Sequence, residues 1–204
     1  MTTVRTATVE PRASVLIESM RDIGYSLETA VADIVDNSIT AGAGRVDILA
    51  DTSSETPAIG LLDDGVGMTE AELLEAMRPG SKSPLASRAR HDLGRFGLGL
   101  KTASFSQCRR VTVITRKSGS TCCAIWDLDK VAETDKWVVE LPELFDAIRW
   151  SDRLGSRGTL VVWEKLDRLV GPDLGDSRLH LTRQLNETAT HLELVFHRFL
   201  EGER

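Results

Sequence analysis

The 204-residue sequence predicts an α+β fold, a sandwich of one mixed, mostly antiparallel sheet with helices on one face. Three observations carry that expectation. Helical patterns come early, alternating apolar strands cluster in the second half, and short turns link most of those strands. Regular βαβ alternation is not expected. With 41% hydrophobic and 27% charged residues, the composition is that of a globular protein, and the length suits one sizeable domain with or without an appendage.

Each element has a local reason. Val15, Leu16, Met20 and Ile23 fall at helical spacing, and Gly24 stops the run. A second helix runs from Ser26, a good N-cap, to about Ala41, with Gly42 and Gly44 closing it. "RVDILA" and "PAIGLLD" read as strands. "MTEAELLEAMRPG" is a helix capped by Thr69, with Glu70 and Glu72 in its first turn and Pro79-Gly80 as its stop. A polar loop over about 80–93 leads to "GLGLKTASFSQ", which opens a helix. "RRVTVITRK" alternates as a strand, and "TCCAIWDL", "KWVVEL" and "GTLVVWEKL" are further strands. From about Ser177 to Leu200, a helix carries Leu181, Leu185, Thr188, Leu192, Val195 and Phe199 on one face. Core packing is preferred to a dimer contact for that face. The chain thus divides into a main domain, 1–170, and a helical tail, 171–204, packed on it or extending from it.

A net charge of −6 favours solubility and argues against a surface given over wholly to nucleic acid. Against that background Arg78, Lys82, Arg88, Arg90 and Arg95 face a single acid, Asp92, within one short stretch. No segment approaches the ~18–20 apolar residues of a membrane span, and "MTTVRTATVEPRA" lacks a signal-peptide core. The expected location is cytoplasmic, with no membrane partner. Cys108, Cys122 and Cys123 form no CxxC and read as reduced, buried thiols.

Four segments carry candidate chemistry. In "SLETAVADIVDNSITAGAGRVDI", Asp33 and Asn37 lie one turn apart on one line of the helix, opposite Leu27, Ala30, Val31, Ile34 and Ser38. An Asn amide oxygen is a neutral hard donor suited to Mg²⁺ that keeps its waters and phosphate ligands. A carboxylate one turn earlier is placed to polarise an attacking water. Taken alone, the pair also reads as a plain solvated face. "GLLDDGVGMTEAEL" ends a strand in Asp63, with Gly65 and Gly67 following. A strand-end carboxylate accepts from an exocyclic amine, and the glycines allow positive φ and close approach to a flat ring. "LGRFGLGLKTAS" orders its glycines G-x-x-G-x-G before a helix, unlike the dinucleotide fingerprint. It presents N–H groups and a helix N-terminus to an anion, with Lys101 and Thr102 adding charge and a hydroxyl. "GSRGTLVVWEKL" puts Gly158-Thr159 at a strand start.

In this order and at these separations, the four segments resemble the GHKL ATP-binding family of gyrase B subunits, heat-shock chaperones, histidine kinases, MutL and MORC-type ATPases. "DIVDNSITA" is most similar to the MutL and MORC branches, and the resemblance spans about residues 11–165. It implies a two-layer Bergerat-type sandwich and an ATP-binding role for residues 1–170, with ATP and Mg²⁺ as cofactors. Asn37 would hold the metal. Asp63 would accept from the adenine amine with help from Thr159 and a bridging water, and Gly65, Gly67 and Met68 would line the ring. Gly94, Phe96, Gly97, Leu98, Gly99 and Leu100 would form the phosphate-contacting end of a mobile lid over roughly 79–99. Lys82 and Lys101 would add phosphate charge.

Two positions depart from the pattern. Asp33 stands where hydrolysing members carry a Glu base. One methylene fewer retracts the carboxylate by ~1.5 Å, and a misplacement of that size costs on the order of 10²-fold in rate. Glu28 faces the other side of the helix, and Asp36 is an auxiliary candidate. Thr40 stands where many relatives have Asp. The resemblance therefore implies slow hydrolysis coupled to lid closure and self-association, as the ATPase module of a larger MutL/MORC-like machine. Relatives usually continue into a domain that lends a lysine to the γ-phosphate, whereas only a tail follows residue 170 here. An excised module, or reliance on a partner or second copy, is therefore expected. A histidine or serine phosphotransferase and a non-hydrolysing ATP-gated module are the alternatives. A nucleotide-dependent homodimer is an expected partner state, and DNA enters by resemblance only.

Overall fold

The computed structural model describes residues 5–8, 10–22, 24–80, 99–170 and 174–200. Five strands form one sheet: β1 (Val46–Asp51), β2 (Ala58–Asp63), β3 (Arg110–Lys117), β4 (Ser120–Asp127) and β5 (Gly158–Glu164). Their order is β1-β2-β5-β3-β4, and every ladder among the described residues is antiparallel. The last strand in the chain thus slots between β2 and β3. That insertion sets Thr159 opposite both Asp63 and Thr115, joining residues from three distant stretches of sequence.

One face of the sheet carries the helices. These are α1 (Ala13–Arg21), α2 (Leu27–Thr40), α3 (Glu70–Met77), α4 (Gly99–Gln107), α5 (Leu128–Thr134), α6 (Leu174–Val195) and α7 (His197–Leu200). Inward side chains alternate along the strands as the pleat demands. Ile59, Leu61, Val111, Val113, Val161 and Trp163 meet Ile17, Val31, Ile34, Leu73, Phe105 and Leu181 in the main core. The α+β sandwich expected from the sequence is the fold observed. The opposite face is not bare. Leu49, Leu62, Ile114, Ile125, Leu160 and Val162 are covered by Phe145, Ile148, Trp150 and Leu154 from the irregular chain before β5. Trp150 crosses Gly60 so closely that a Cβ there would lie 2.7 Å from its ring.

Caps follow the chemistry of their residues. The Ser26 hydroxyl accepts from Thr29 N–H at the start of α2, and Thr69 and Glu72 form a complete capping box on α3. In α1 the apolar reading needs correction. Val15 and Leu16 are exposed, and the buried stripe is Ala13, Ile17 and Arg21. Arg21 is tolerated inside because its guanidinium donates to Phe105 O at 2.8 Å and pairs with Asp167 at 2.5 Å. "KWVVEL" is not a strand: only Glu140 bridges to Ile125. The unforeseen α5 starts instead at Asp127, whose side chain accepts from Asp129 N–H as an N-cap. In the tail, Leu181 and Thr188 are buried, and Leu185 and Leu192 pack against the core where α6 meets α2. Val195 and Phe199 are exposed, and Phe196 turns inward in their place. No helix among the described residues is long and apolar enough to cross a membrane.

Candidate functional site

Asp63 closes β2 at one end of the sheet, where three segments converge on its carboxylate. Oδ1 accepts from Gly65 N–H at 2.9 Å and from Thr159 N–H at 3.2 Å, and Oδ2 accepts from the Ser38 hydroxyl at 3.0 Å. Burial pushes the Asp63 carboxyl up, while those donors pull it back. Beneath it sits Thr115, wholly buried. Its oxygen accepts from Met68 N–H at 2.9 Å, its proton goes to Gly158 O at 2.9 Å, and Thr159 Oγ1 lies 3.0 Å away. With the Thr115 proton committed, the Thr159 hydroxyl donates to Thr115 and keeps its own lone pairs for a ligand.

The glycines here do different things. Gly67 alone of the pair uses the positive φ that glycine allows, at +68°. A Cβ on Gly67 would lie 2.1 Å from Arg116 O; its absence lets the turn lie flat on β3. On Gly65 a Cβ would meet Ala41 and Asp63 Oδ1 at 3.0 Å, tight but short of collision. Met68 presents its N–H to Thr115 and its side chain to the main core.

Helix α2 supplies the other wall. Asp33 is half-buried and Asn37 one turn on is exposed. Burial raises the Asp33 carboxyl above the ordinary range, with the Tyr25 hydroxyl working against it. Burial and then the Asp33 charge raise Asp36. A Cβ built on Gly99 at the start of α4 would lie 3.7 Å from Asp33 Oδ2. Helix α2 is thus the hub: Ser38 ties it to the acidic turn, and Asp33 faces the last glycine of the third segment. Leu100 packs against the core. Lys82, Gly94, Phe96, Gly97 and Leu98 lie outside the described residues.

Lys101 departs from its expected role. Its side chain is only 2% exposed, and Nζ donates to Ala76 O at 2.8 Å and Arg78 O at 2.6 Å. In this structure its charge caps the C-terminal end of α3 rather than standing free for a phosphate. Burial lowers the ammonium to about 8. Lys101→Ala orphans two carbonyls, so chemical denaturation should show a loss of roughly 2–3 kcal/mol. Thr102, the other residue expected to face the anion, is buried on α4.

Ser38, Thr115 and Tyr25 were not singled out as site residues by sequence reasoning. Ser38 and Thr115 each left a trace, as the polar member of an otherwise apolar face on α2 and β3 respectively. Among the described residues no group of three or more His, Cys, Asp or Glu is arranged to hold a metal. A single exposed amide oxygen at Asn37 fits an ion such as Mg²⁺ that keeps water and phosphate for its remaining ligands.

Comparison with known proteins bears on the same region. A family described as histidine kinase-, DNA gyrase B-, and HSP90-like ATPase matches residues 25–156, which contain α2, the acidic turn and the start of α4. ATPase morc-1 of Caenorhabditis elegans is 34% identical over 92 residues, 45% of this chain and 10% of that protein. The chaperone protein HtpG of Bdellovibrio bacteriovorus is 33% identical over 89 residues, covering 39% and 14% of the two chains. The DNA mismatch repair protein MutL of Rhodopseudomonas palustris is 33% identical over 92 residues, covering 45% and 15%. The matched region is thus a small fraction of each of these relatives.

Proposed function

The chain belongs to the histidine kinase-, DNA gyrase B- and HSP90-like ATPases and is an ATP-binding module; from that premise we propose that it hydrolyses Mg-ATP slowly, with Asp33 activating the water. The observation that carries the reading is the Asp63 carboxylate, on which Ser38, Gly65 and Thr159 converge. It links the helix bearing Asp33 and Asn37 to an acceptor suited to an adenine amine. Gly65, Gly67 and Met68 line the ring, and the lone pairs of Thr159 Oγ1 take a bridging water.

Asp33 takes a proton from a water whose oxygen bonds to the γ-phosphorus. The bond from that phosphorus to the bridging oxygen breaks, and ADP leaves. Bound through the phosphates and the Asn37 amide oxygen, Mg²⁺ would neutralise the charge that develops on the leaving side. The raised carboxyl of Asp33 is a better proton acceptor than an ordinary aspartate at neutral pH. Its short reach keeps turnover low. The phosphate-contacting glycines Gly94, Gly97 and Gly99, with Phe96, Leu98, Leu100 and Lys82, belong to the lid part of the proposal. Nucleotide-dependent self-association, and action on DNA as part of a longer MutL- or MORC-like protein, complete it. All three cysteines are unpaired, which suits the cytoplasm.

Two variants test the base. Asp33→Ala is expected to lower phosphate release by about 10²-fold or more while calorimetric Mg-ATP affinity stays within a few-fold. Asp33→Glu is expected to raise turnover by restoring the reach. Equal rates in wild type and Asp33→Ala at high protein concentration would instead leave a non-hydrolysing, ATP-gated module.

A further inference from the structure

Thr115 lies on β3 where no nucleotide can touch it: it is wholly buried, whereas Thr159 beside it keeps 9% of its surface. The Thr115 hydroxyl has three neighbours, and between them they fix its proton. Met68 N–H, 2.9 Å away, can only donate to it. Gly158 O, also at 2.9 Å, can only accept. The proton therefore goes to Gly158 O, and one lone pair takes the Met68 N–H. What remains for Thr159 Oγ1, at 3.0 Å, is the second lone pair, so Thr159 is the donor of that bond. The hydroxyls form a chain of one direction, from Thr159 to Thr115 to the carbonyl of Gly158. Thr159 sits opposite Thr115 across one ladder and opposite Asp63 across the other, so the sheet fixes the backbone beneath all three.

We infer that Thr115 is a positioning residue that sets nucleobase specificity through Thr159. The inference rests on the reading of this end of the sheet as the adenine site. Because Thr159 spends its proton on Thr115, it meets the ligand, directly or through the bridging water, only as an acceptor. Asp63 Oδ2, on the same wall, is an acceptor too. The wall thus asks the base for donors, and an exocyclic amine with two protons supplies them. A 6-oxo purine brings lone pairs to the same place and is refused, since opposed acceptors are left desolvated without partners. Asp63 makes this demand by its charge. Thr159 makes it only because Thr115 holds its proton inward. Without the Thr115 hydroxyl, that of Thr159 would be free to turn and serve either kind of base.

The full chain with Thr115→Val, which keeps the branched shape and loses the hydroxyl, tests this by calorimetric titration with Mg-ATP and with the magnesium salt of inosine triphosphate. Wild type is expected to bind ATP at least about 100-fold more tightly than the inosine nucleotide. Thr115→Val should narrow that gap about tenfold, the worth of one polar contact. Thr115→Ser, which keeps the hydroxyl, should hold the gap within about twofold of wild type. The ratio isolates the role, because losing the Met68 bond loosens the turn for both nucleotides alike and cancels. A gap unchanged in Thr115→Val, or narrowed as much in Thr115→Ser, overturns the inference. Should Thr115→Val fail to fold, Thr159→Val removes the base-facing end of the chain and should narrow the gap in the same way. An unchanged gap there overturns the inference equally. The two readings separate cleanly. A wild type that binds neither nucleotide ends the adenine site itself. A wild type that binds ATP, with no gap or with one that neither variant narrows, ends only the role of Thr115.

Discussion

Replacing Asp63 by asparagine is expected to weaken Mg-ATP binding at least about 100-fold while leaving the fold in place. The reason lies in the count of donors. Gly65 N–H and Thr159 N–H occupy Oδ1, and the Ser38 hydroxyl approaches Oδ2. A carboxylate accepts all three and still has a lone pair on Oδ2 for an exocyclic amine. A carboxamide must keep its oxygen toward the two N–H groups, so its NH₂ takes the Oδ2 position. Ser38 can adapt by accepting from that NH₂, since its own proton already has Ile34 O within 3.2 Å. The adenine amine cannot adapt, because it would meet a donor. Losing a charge-assisted bond and leaving opposed donors costs about 3–4 kcal/mol, which is two to three decades in Kd. The protein loses little, because burial already disfavours the charged form of Asp63. Calorimetric titration beside a thermal melt separates the two effects. Unchanged affinity in a folded Asp63→Asn protein would remove adenine from this end of the sheet.

How much of this was legible beforehand follows the range of the interactions involved. Local rules found α2 and α3, because their caps and apolar spacings are written within a few residues: Ser26 ahead of Leu27, Thr69 ahead of Glu72. The five strands were equally local, each a short apolar run, alternating in β3 and nearly continuous in β2 and β5. Misreadings arose where a distant partner decides the outcome. Arg21 displaces Leu16 from the core side of α1 only because Phe105 O and Asp167, far along the chain, wait to receive its guanidinium. Asp127 ends β4 and caps α5 at once, so of the run "TCCAIWDL" only Leu128 leaves the strand, a turn reinforced by Lys165 of the segment after β5, which binds the Asp127 carboxylate. In the site, Asp63, Gly65 and Gly67 were visible through spacing. Thr115 was not, since its importance comes from β5 inserting beside β3, a topology no local pattern reports. Lys101 was misjudged for the same reason: its motif position says phosphate, while its nearest acceptors are the carbonyls of Ala76 and Arg78.

The other large effect concerns Gly67, where alanine is expected to unfold the protein or cost more than about 4 kcal/mol. Two penalties add. A non-glycine residue at φ +68° pays roughly 1 kcal/mol for the left-handed region. The larger one is steric, because the new methyl would lie 2.1 Å from Arg116 O, 2.8 Å from its carbonyl carbon and 3.3 Å from Gly158 O. Those atoms belong to β3 and β5, adjacent strands inside the sheet, so they cannot retreat without breaking their ladder. The turn must lift instead, and lifting it breaks the bond from Met68 N–H to Thr115, leaving a buried hydroxyl short of a partner. Gly65 provides the control. It has no positive φ, and its Cβ would touch Ala41 and Asp63 Oδ1 at 3.0 Å, which a shift of a few tenths of an ångström relieves. Gly65→Ala should therefore fold, lose only about 1–2 kcal/mol, and weaken ATP binding by crowding the carboxylate. If both variants unfold equally, the two glycines serve packing alike. If Gly67→Ala melts like wild type, the close seating of this turn on β3 is wrong, and with it the depth of the proposed adenine pocket.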